Sequence, residues 1–164
     1  MPETNQIVIN TGPLLALIAG LGDLKILNSL YEQVVVPYEV CQEVMAGGAA
    51  NFGICEFTEA GFLIKRDKFT MIQPYLLNSL DLGESSVIQT ALDKKIQTVC
   101  IDETVGRRIA RLNGLILTGS LGIMIRAKKE GHTFLLHEAI NRMLARGVRL
   151  SERIINFALK QVGE

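Results

Sequence analysis

The chain contains no tryptophan, and its aromatic share is only 5%. A platform of successive aromatic faces on which bases stack is therefore disfavoured. Cysteine is scarce too: Cys41, Cys55 and Cys100 are an odd number, far apart, with no CxxC pair. That pattern argues against a disulfide framework and for reduced thiols, which points to a cytoplasmic chain. Cys100 falls inside an apolar run and reads as core rather than nucleophile. His132 and His137 have no cysteine nearby, so a zinc site would lack ligands. Neither a Walker loop nor GxGxxG occurs, which leaves nucleotide binding by those routes unsupported. No apolar run approaches the roughly 20 residues of a membrane span. Residues 1–6 are polar and lack the basic region of a signal peptide, so no membrane association is expected.

What is present suits one domain over residues 1–164, since 48% of the 164 residues are hydrophobic and such a chain fills a core without staples. Lys+Arg and Asp+Glu number 17 each, yet they are unevenly spread. Residues 1–104 hold 6 basic and 13 acidic side chains, and residues 105–164 hold 11 and 4. An acidic front and a basic back suit a metal site flanked by a phosphate-binding surface, or else merely solvated helices.

Gln6-Ile7-Val8-Ile9 stops at Asn10-Thr11-Gly12-Pro13, which predicts a buried strand and then a helix start with Pro13 in its first turn. The helix is expected over residues 14–19, broken at Gly20 and Gly22, with Asp23 capping a second. Val34-Val35-Val36 predicts another strand, and Pro37 opens a helix over residues 38–45 that Gly47-Gly48 ends. Residues 49–61 fit either state, Phe62-Leu63-Ile64 predicts a short edge strand, and residues 65–80 predict a loop. Asp81-Leu82-Gly83-Glu84 opens a helix closed by Lys94-Lys95. Thr98-Val99-Cys100-Ile101 is a strand ending at Asp102, followed by a helix over residues 103–112. Leu115-Ile116-Leu117 is the last strand. Ser120 caps the next helix, and two more follow near residues 134–145 and 152–162, with Ser151 capping the last. Short continuous apolar strands separated by helices predict a three-layer α/β/α fold with a central parallel sheet. Ligands of such sheets bind beyond the C-terminal strand ends near the topological switch point, which marks Asn10 and Asp102.

The candidate site is Asn10, Glu43, Glu84 and Asp102, with Glu103 beside the last. Structural roles are open to each: Asp102 as a cap of the following helix, Glu84 in a capping box with Asp81, Glu43 as surface charge. Against that, Glu39 and Glu43 are a like-charge i,i+4 pair costing roughly a few tenths of a kcal/mol. Glu43 also borders the apolar stripe of Val36, Val40 and Val44. Carboxylates converging at strand ends repel one another unless a cation sits among them, and Mg²⁺ or Mn²⁺ accepts such oxygen ligands.

The run Ile7-Val8-Ile9-Asn10-Thr11-Gly12-Pro13-Leu14 resembles the opening strand and turn of PIN domains, where an Asp is usual and Ser or Thr follows. Val35-Val36-Pro37-Tyr38-Glu39-Val40 with Glu43 is similar to the family's second acidic segment, Leu82-Gly83-Glu84 to the third, and Val99-Cys100-Ile101-Asp102-Glu103 to the fourth. Leu117-Thr118-Gly119-Ser120-Leu121-Gly122 and the following Arg126-Ala127-Lys128-Lys129-Glu130-Gly131 resemble a prokaryotic branch close to VapC-like toxins. The likeness covers about residues 6–131 and is weaker over the C-terminal helices, residues 132–164. It implies Mg²⁺- or Mn²⁺-dependent ribonuclease chemistry, an RNA substrate, frequent homodimers and a small antitoxin partner. It also implies that Glu43, Glu84 and Asp102 hold metal, that Glu103 assists, and that Thr11 orients a ligand or water.

Asn10 departs from the pattern, because an amide oxygen brings no charge. One unit charge at about 4 Å is worth several kcal/mol at an effective dielectric near 20, before desolvation. Arg107, Arg108 and Arg111, then Arg126, Lys128 and Lys129, are candidates for RNA phosphates, with plain helix solvation as the alternative. The expectation is an endoribonuclease, of the kind that serves as the toxin of a toxin–antitoxin pair, with a site weakened by Asn10. The alternative is a catalytically silent PIN-like module that binds RNA or a protein. A receiver-like signalling domain also gathers acids at strand ends, but its acid pair after the first strand and lysine after the last are missing.

Overall fold

Strand and helix alternate through residues 5–164, the residues that the computed structural model describes; of the polar N-terminal stretch, residues 1–4 lie outside them. In chain order the elements are β1 (Gln6–Ile9), α1 (Thr11–Leu21), α2 (Lys25–Leu30), β2 (Gln33–Val36) and α3 (Tyr38–Ala46). A 3-10 turn (Ala49–Asn51), α4 (Ile54–Glu59), β3 (Ile64–Lys65), α5 (Pro74–Leu77) and α6 (Leu82–Lys94) follow. The chain then forms β4 (Thr98–Cys100), α7 (Thr104–Leu112), β5 (Ile116–Thr118), α8 (Ser120–Lys129), α9 (Leu136–Ala145) and α10 (Glu152–Gln161).

The five strands form one sheet in the order β3-β2-β1-β4-β5, every neighbouring pair parallel. Helices cover both faces, so the fold is the expected three-layer α/β/α arrangement. Burial follows position in the sheet. Ile7, Val8 and Ile9 of central β1 are wholly buried, whereas Ile64 of β3 and Ile116 of β5 at the edges are exposed. A strand covered on both faces must be apolar at every position, which is why β1, β2 and β4 read as unbroken hydrophobic runs. The chain runs outward from β1 through β2 to β3, then returns to place β4 on the other side of β1. The switch point therefore lies between β1 and β4, and Asn10 follows one of these strands while Asp102 follows the other closely.

Five local readings shift, one of them at α2, where Leu24 and not Asp23 holds the cap position and the Asp23 carboxylate accepts from the Lys25 amide at 3.0 Å. The first helix does not break at Gly20 but runs on to Leu21 and stops at Gly22, which has a left-handed φ of 85°. Gly20 is there for packing: a Cβ on it would lie 2.8 Å from Met124 Cε and 3.1 Å from Met143 Cγ, so α8 and α9 approach α1 closely. The edge strand slides to Ile64–Lys65, where Val35 and Val36 of β2 set its register. The expected loop over residues 65–80 contains the short α5, opened by Pro74. Ser120 is the first residue of its helix, and Gly119 occupies the cap position.

Candidate active site

Each acid reaches the strand ends by a different local device. Asn10 ends β1 in extended backbone, caps α1 through its main chain, and is 6% exposed. Its Oδ1 is buried without a hydrogen-bond partner among the described residues. An orphaned buried acceptor costs about 1–3 kcal/mol, so this carbonyl is poised for a donor or a cation. Thr11, the next residue, donates its hydroxyl to Glu43 Oε1. Glu43 stands on the exposed side of α3, one turn beyond Glu39.

The Glu39–Glu43 pair resolves once both side chains are seen. Glu39 is 6% exposed and accepts from the Thr70 amide and hydroxyl, each at 2.8 Å. It fastens the loop before α5 and leaves Glu43 alone to face the site.

Glu84 has the capping-box role that the sequence offered it. Asp81 accepts from the Glu84 amide at 2.8 Å, and Glu84 Oε1 accepts from the Asp81 amide at 3.4 Å, which completes a capping box. Glu84 is only 7% exposed, and burial pushes its carboxyl above the ordinary range. The Asp81 charge adds to the rise, the backbone bond at Asp81 opposes it, and the charges of Glu103 and Glu43 raise it further. Glu84 thus lies within electrostatic reach of both Glu43 and Glu103.

Asp102 does not cap the helix that follows it. Its Oδ1 accepts from the Ser120 amide at 2.9 Å, at the N-terminus of α8, where the helix dipole favours a negative group. Glu103 takes the cap position of α7 without a side-chain cap bond. Arg107 is anchored by donation to the Ile101 carbonyl at 2.8 Å and the Thr118 carbonyl at 3.3 Å, which places its charge near Asp102. Cys100 is wholly buried, and its thiol is held well above its ordinary range by burial and then by Asp102, so it is core as expected.

Three glycines make room for these acids, and sequence reading passed over them. A Cβ on Gly83 would lie 2.8 Å from Glu43 Oε1 and 3.4 Å from Asn10 Oδ1. One on Gly119 would lie 2.7 Å from Asp102 Oδ1, and one on Gly106 would press on Ile101 Cγ2 at 2.9 Å, with Glu84 Oε2 next at 3.4 Å. All three stand at or near the start of a helix, in α6, in α7 and before α8. The available signal was their placement at a helix cap or within three residues of a candidate acid.

The remaining basic candidates divide. Arg107 and Arg111 line a groove beside Asp102 and Glu103, while Arg108 does not. Arg126 pairs with Glu130 at 2.7 Å and donates to the Leu30 carbonyl at 3.1 Å. Lys128 pairs with Glu164 at 3.4 Å, and Lys129 bonds Gln161 at 3.3 Å. The α8 cations therefore hold structure together, on different partners from those of α7.

Among the described residues, no three His, Cys, Asp or Glu side chains are close enough to share a metal ion. The donor set still suits a hard cation. Mg²⁺ needs only one or two protein carboxylates and keeps its waters, and Glu43 with the orphaned Asn10 carbonyl over Gly83 supplies oxygens of that kind. Glu84, within electrostatic reach of Glu43, is a further oxygen donor, while Asp102 is engaged with the Ser120 amide at the start of α8. A family model described as a PIN domain matches residues 6–164, including the C-terminal helices. No curated protein and no solved structure matches the chain.

Proposed function

This chain belongs to the PIN-domain family, and from that premise we propose that it is a Mg²⁺- or Mn²⁺-dependent endoribonuclease whose site is attenuated by Asn10. The observation that carries the reading is the convergence at the β1–β4 switch point: Glu43 and the unpartnered Asn10 Oδ1 over Gly83, with Glu84 beside them and Asp102 on the far side. A bound divalent ion supplies water activation and charge neutralisation for an in-line displacement at phosphorus. Glu43 with the Asn10 carbonyl would hold that ion directly, Glu84 and Asp102 would act on its waters, and Glu103 would add negative charge at the rim. Thr11 fixes the rotamer of Glu43 through its hydroxyl. Arg107, pinned to two main-chain carbonyls, presents a fixed positive charge to substrate phosphate.

Asn10 itself favours a second reading, a PIN-like module that binds RNA or a protein without cleaving. We extend to this chain the homodimer and the small antitoxin partner that the resemblance implies, and the cytoplasmic setting for which its scattered cysteines argue. Among the described residues no helix is long and apolar enough to cross a membrane.

The deciding experiment is cleavage of a fluorescent single-stranded RNA panel in Mn²⁺ by wild type, Asn10→Asp and Asp102→Asn. The Asn variant is preferred to Ala because it keeps an acceptor for the Ser120 amide. Wild-type cleavage is expected, lost in Asp102→Asn and raised at least about tenfold in Asn10→Asp, because the added charge is worth several kcal/mol before desolvation. Silence in wild type with activity in Asn10→Asp would hand the assignment to the binding module. Silence in both would sink the nuclease reading.

A further inference from the structure

Glu39 is a buried carboxylate that forms no ion pair among the described residues. A carboxylate taken out of water without a cation is stable only where donors replace its hydration. Both of its oxygens go to one residue: Oε2 accepts from the Thr70 amide and Oε1 from the Thr70 hydroxyl. Thr70 belongs to a strap, residues 66–73, that joins β3 to α5. The strap leaves the sheet where the Arg66 amide donates to the Val36 carbonyl at 3.0 Å. It enters α5 where the Gln73 amide donates to Gln89 Oε1 at 2.9 Å, and Gln89 Nε2 donates in turn to Asp93 at 2.9 Å. The strap therefore crosses from α3 to α6 and is tied to a buried polar side chain of each. At its tip Phe69 and Met71 are 77% and 86% exposed, so apolar burial there does little to hold it down.

We propose that Glu39 is a positioning residue for the metal site: its bonds to Thr70 hold α3 at the rotation where Glu43 Oε1 and Asn10 Oδ1 meet over Gly83. Glu43 follows Glu39 by one turn of α3, with Cβ atoms about 5–6 Å apart on the same face. Gly83, whose missing side chain leaves room for both oxygens, stands on α6, the other helix that the strap ties down. Neither end of α3 fixes its rotation, since Pro37 in the cap position makes no side-chain bond and Gly47 ends the helix with a φ of 69°. The carboxylate bonds that run from α3 to other elements are Glu39 to Thr70 and Glu43 to Thr11. Val40 and Val44 press one side of α3 into the core, but apolar contact is non-directional, whereas two bonds to one residue define an angle. Engaged by two donors, Glu39 also cannot turn toward the ion's place and compete with Glu43. The inference rests on the metal-dependent reading for the use made of Glu43, not for the geometry.

Four variants of the full chain test this: Thr70→Val, Thr70→Ser, Glu39→Gln and Glu39→Ala. NMR without metal reads the Asn10 side-chain amide and the Gly83 amide, calorimetry reads Mn²⁺ affinity, and a melting curve checks that each variant is folded at the working temperature. Thr70→Val keeps the shape and loses the hydroxyl donor. It should shift both resonances and weaken Mn²⁺ binding about tenfold, the usual effect of losing a group that orients a ligand. Thr70→Ser keeps the donor and should match wild type. Glu39→Gln keeps an acceptor for the Thr70 amide and should fall between wild type and Glu39→Ala; if Glu39→Ala does not fold, the Thr70 pair decides. Unmoved Asn10 and Gly83 resonances in Thr70→Val would overturn the proposal. So would a Glu39→Gln that binds Mn²⁺ as weakly as Glu39→Ala while Thr70→Val binds like wild type, because charge alone would then be acting. A wild type that binds no Mn²⁺, but whose resonances move in Thr70→Val and return in Thr70→Ser, sinks the metal reading and upholds the positioning role. Mn²⁺ binding that is equal in all five proteins sinks only the positioning role.

Discussion

Gly83 contributes no side chain, yet it sets where Glu43 and Asn10 meet. A methyl group there would press on Glu43 Oε1 at 2.8 Å and on Asn10 Oδ1 at 3.4 Å. Glu43 is exposed and can swing away at the cost of its one bond from Thr11, about 1 kcal/mol, and alanine is a better helix former than glycine by a similar amount. Gly83→Ala is therefore expected to leave the melting temperature unchanged or slightly higher while Mn²⁺ affinity by calorimetry falls about tenfold, the effect of losing roughly 1.4 kcal/mol of ligation. Equal Mn²⁺ affinity in the two proteins would remove Gly83 from the site. The acids were legible in the sequence because carboxylates beside strand ends and helix starts are chemically conspicuous. The glycines were not, because a glycine's role lies in what occupies the space beside it, and in each case that occupant comes from another element.

The start of α6 shows how one helix end can be capped and face the candidate site at once. The Asp81 carboxylate satisfies the Glu84 amide, and the Glu84 carboxylate returns to the Asp81 amide while its other oxygen faces Gly106. Removing an N-cap acceptor costs about 1 kcal/mol. Asp81→Ala should lower the unfolding free energy by that amount, read as a lower urea midpoint, and also relieve part of the charge that raises the Glu84 carboxyl. An unchanged midpoint would show that the box carries no stability. The pattern Asp-x-x-Glu announced the box, and its second use was invisible without α7. Asp102 went the other way: the sequence offered it as the cap of the adjacent helix, and the structure gives it instead to α8, 18 residues on. Local pattern sees the nearest unsatisfied amide, whereas a parallel sheet brings the start of a more distant helix alongside.

At the scale of the molecule, Glu164 ties the last described residue back to two helices. Its carboxylate accepts from the Leu136 amide at 2.7 Å and the His137 amide at 3.0 Å, and it pairs with the His137 ring at 2.7 Å and with Lys128 at 3.4 Å. Burial alone would raise the Glu164 carboxyl, but these bonds, the His137 amide foremost, pull it down to about 2. A depressed folded value contributes stability above the unfolded value near 4.5 and loses it as pH falls through about 2. Between those limits the melting temperature of wild type should fall more steeply than that of Glu164→Gln, and parallel curves would show that the tie is idle. The sequence by itself determined the layered α/β/α class, because strands buried on both faces must be continuously apolar and the helices between them must carry one apolar side. It also marked Asn10 and Asp102, because they end such strands. Only the tertiary structure decided which glycines cradle the acids, which basic residues line the groove, and where the C-terminal helices return. Those outcomes depend on contacts between segments far apart in the chain, which no local periodicity encodes.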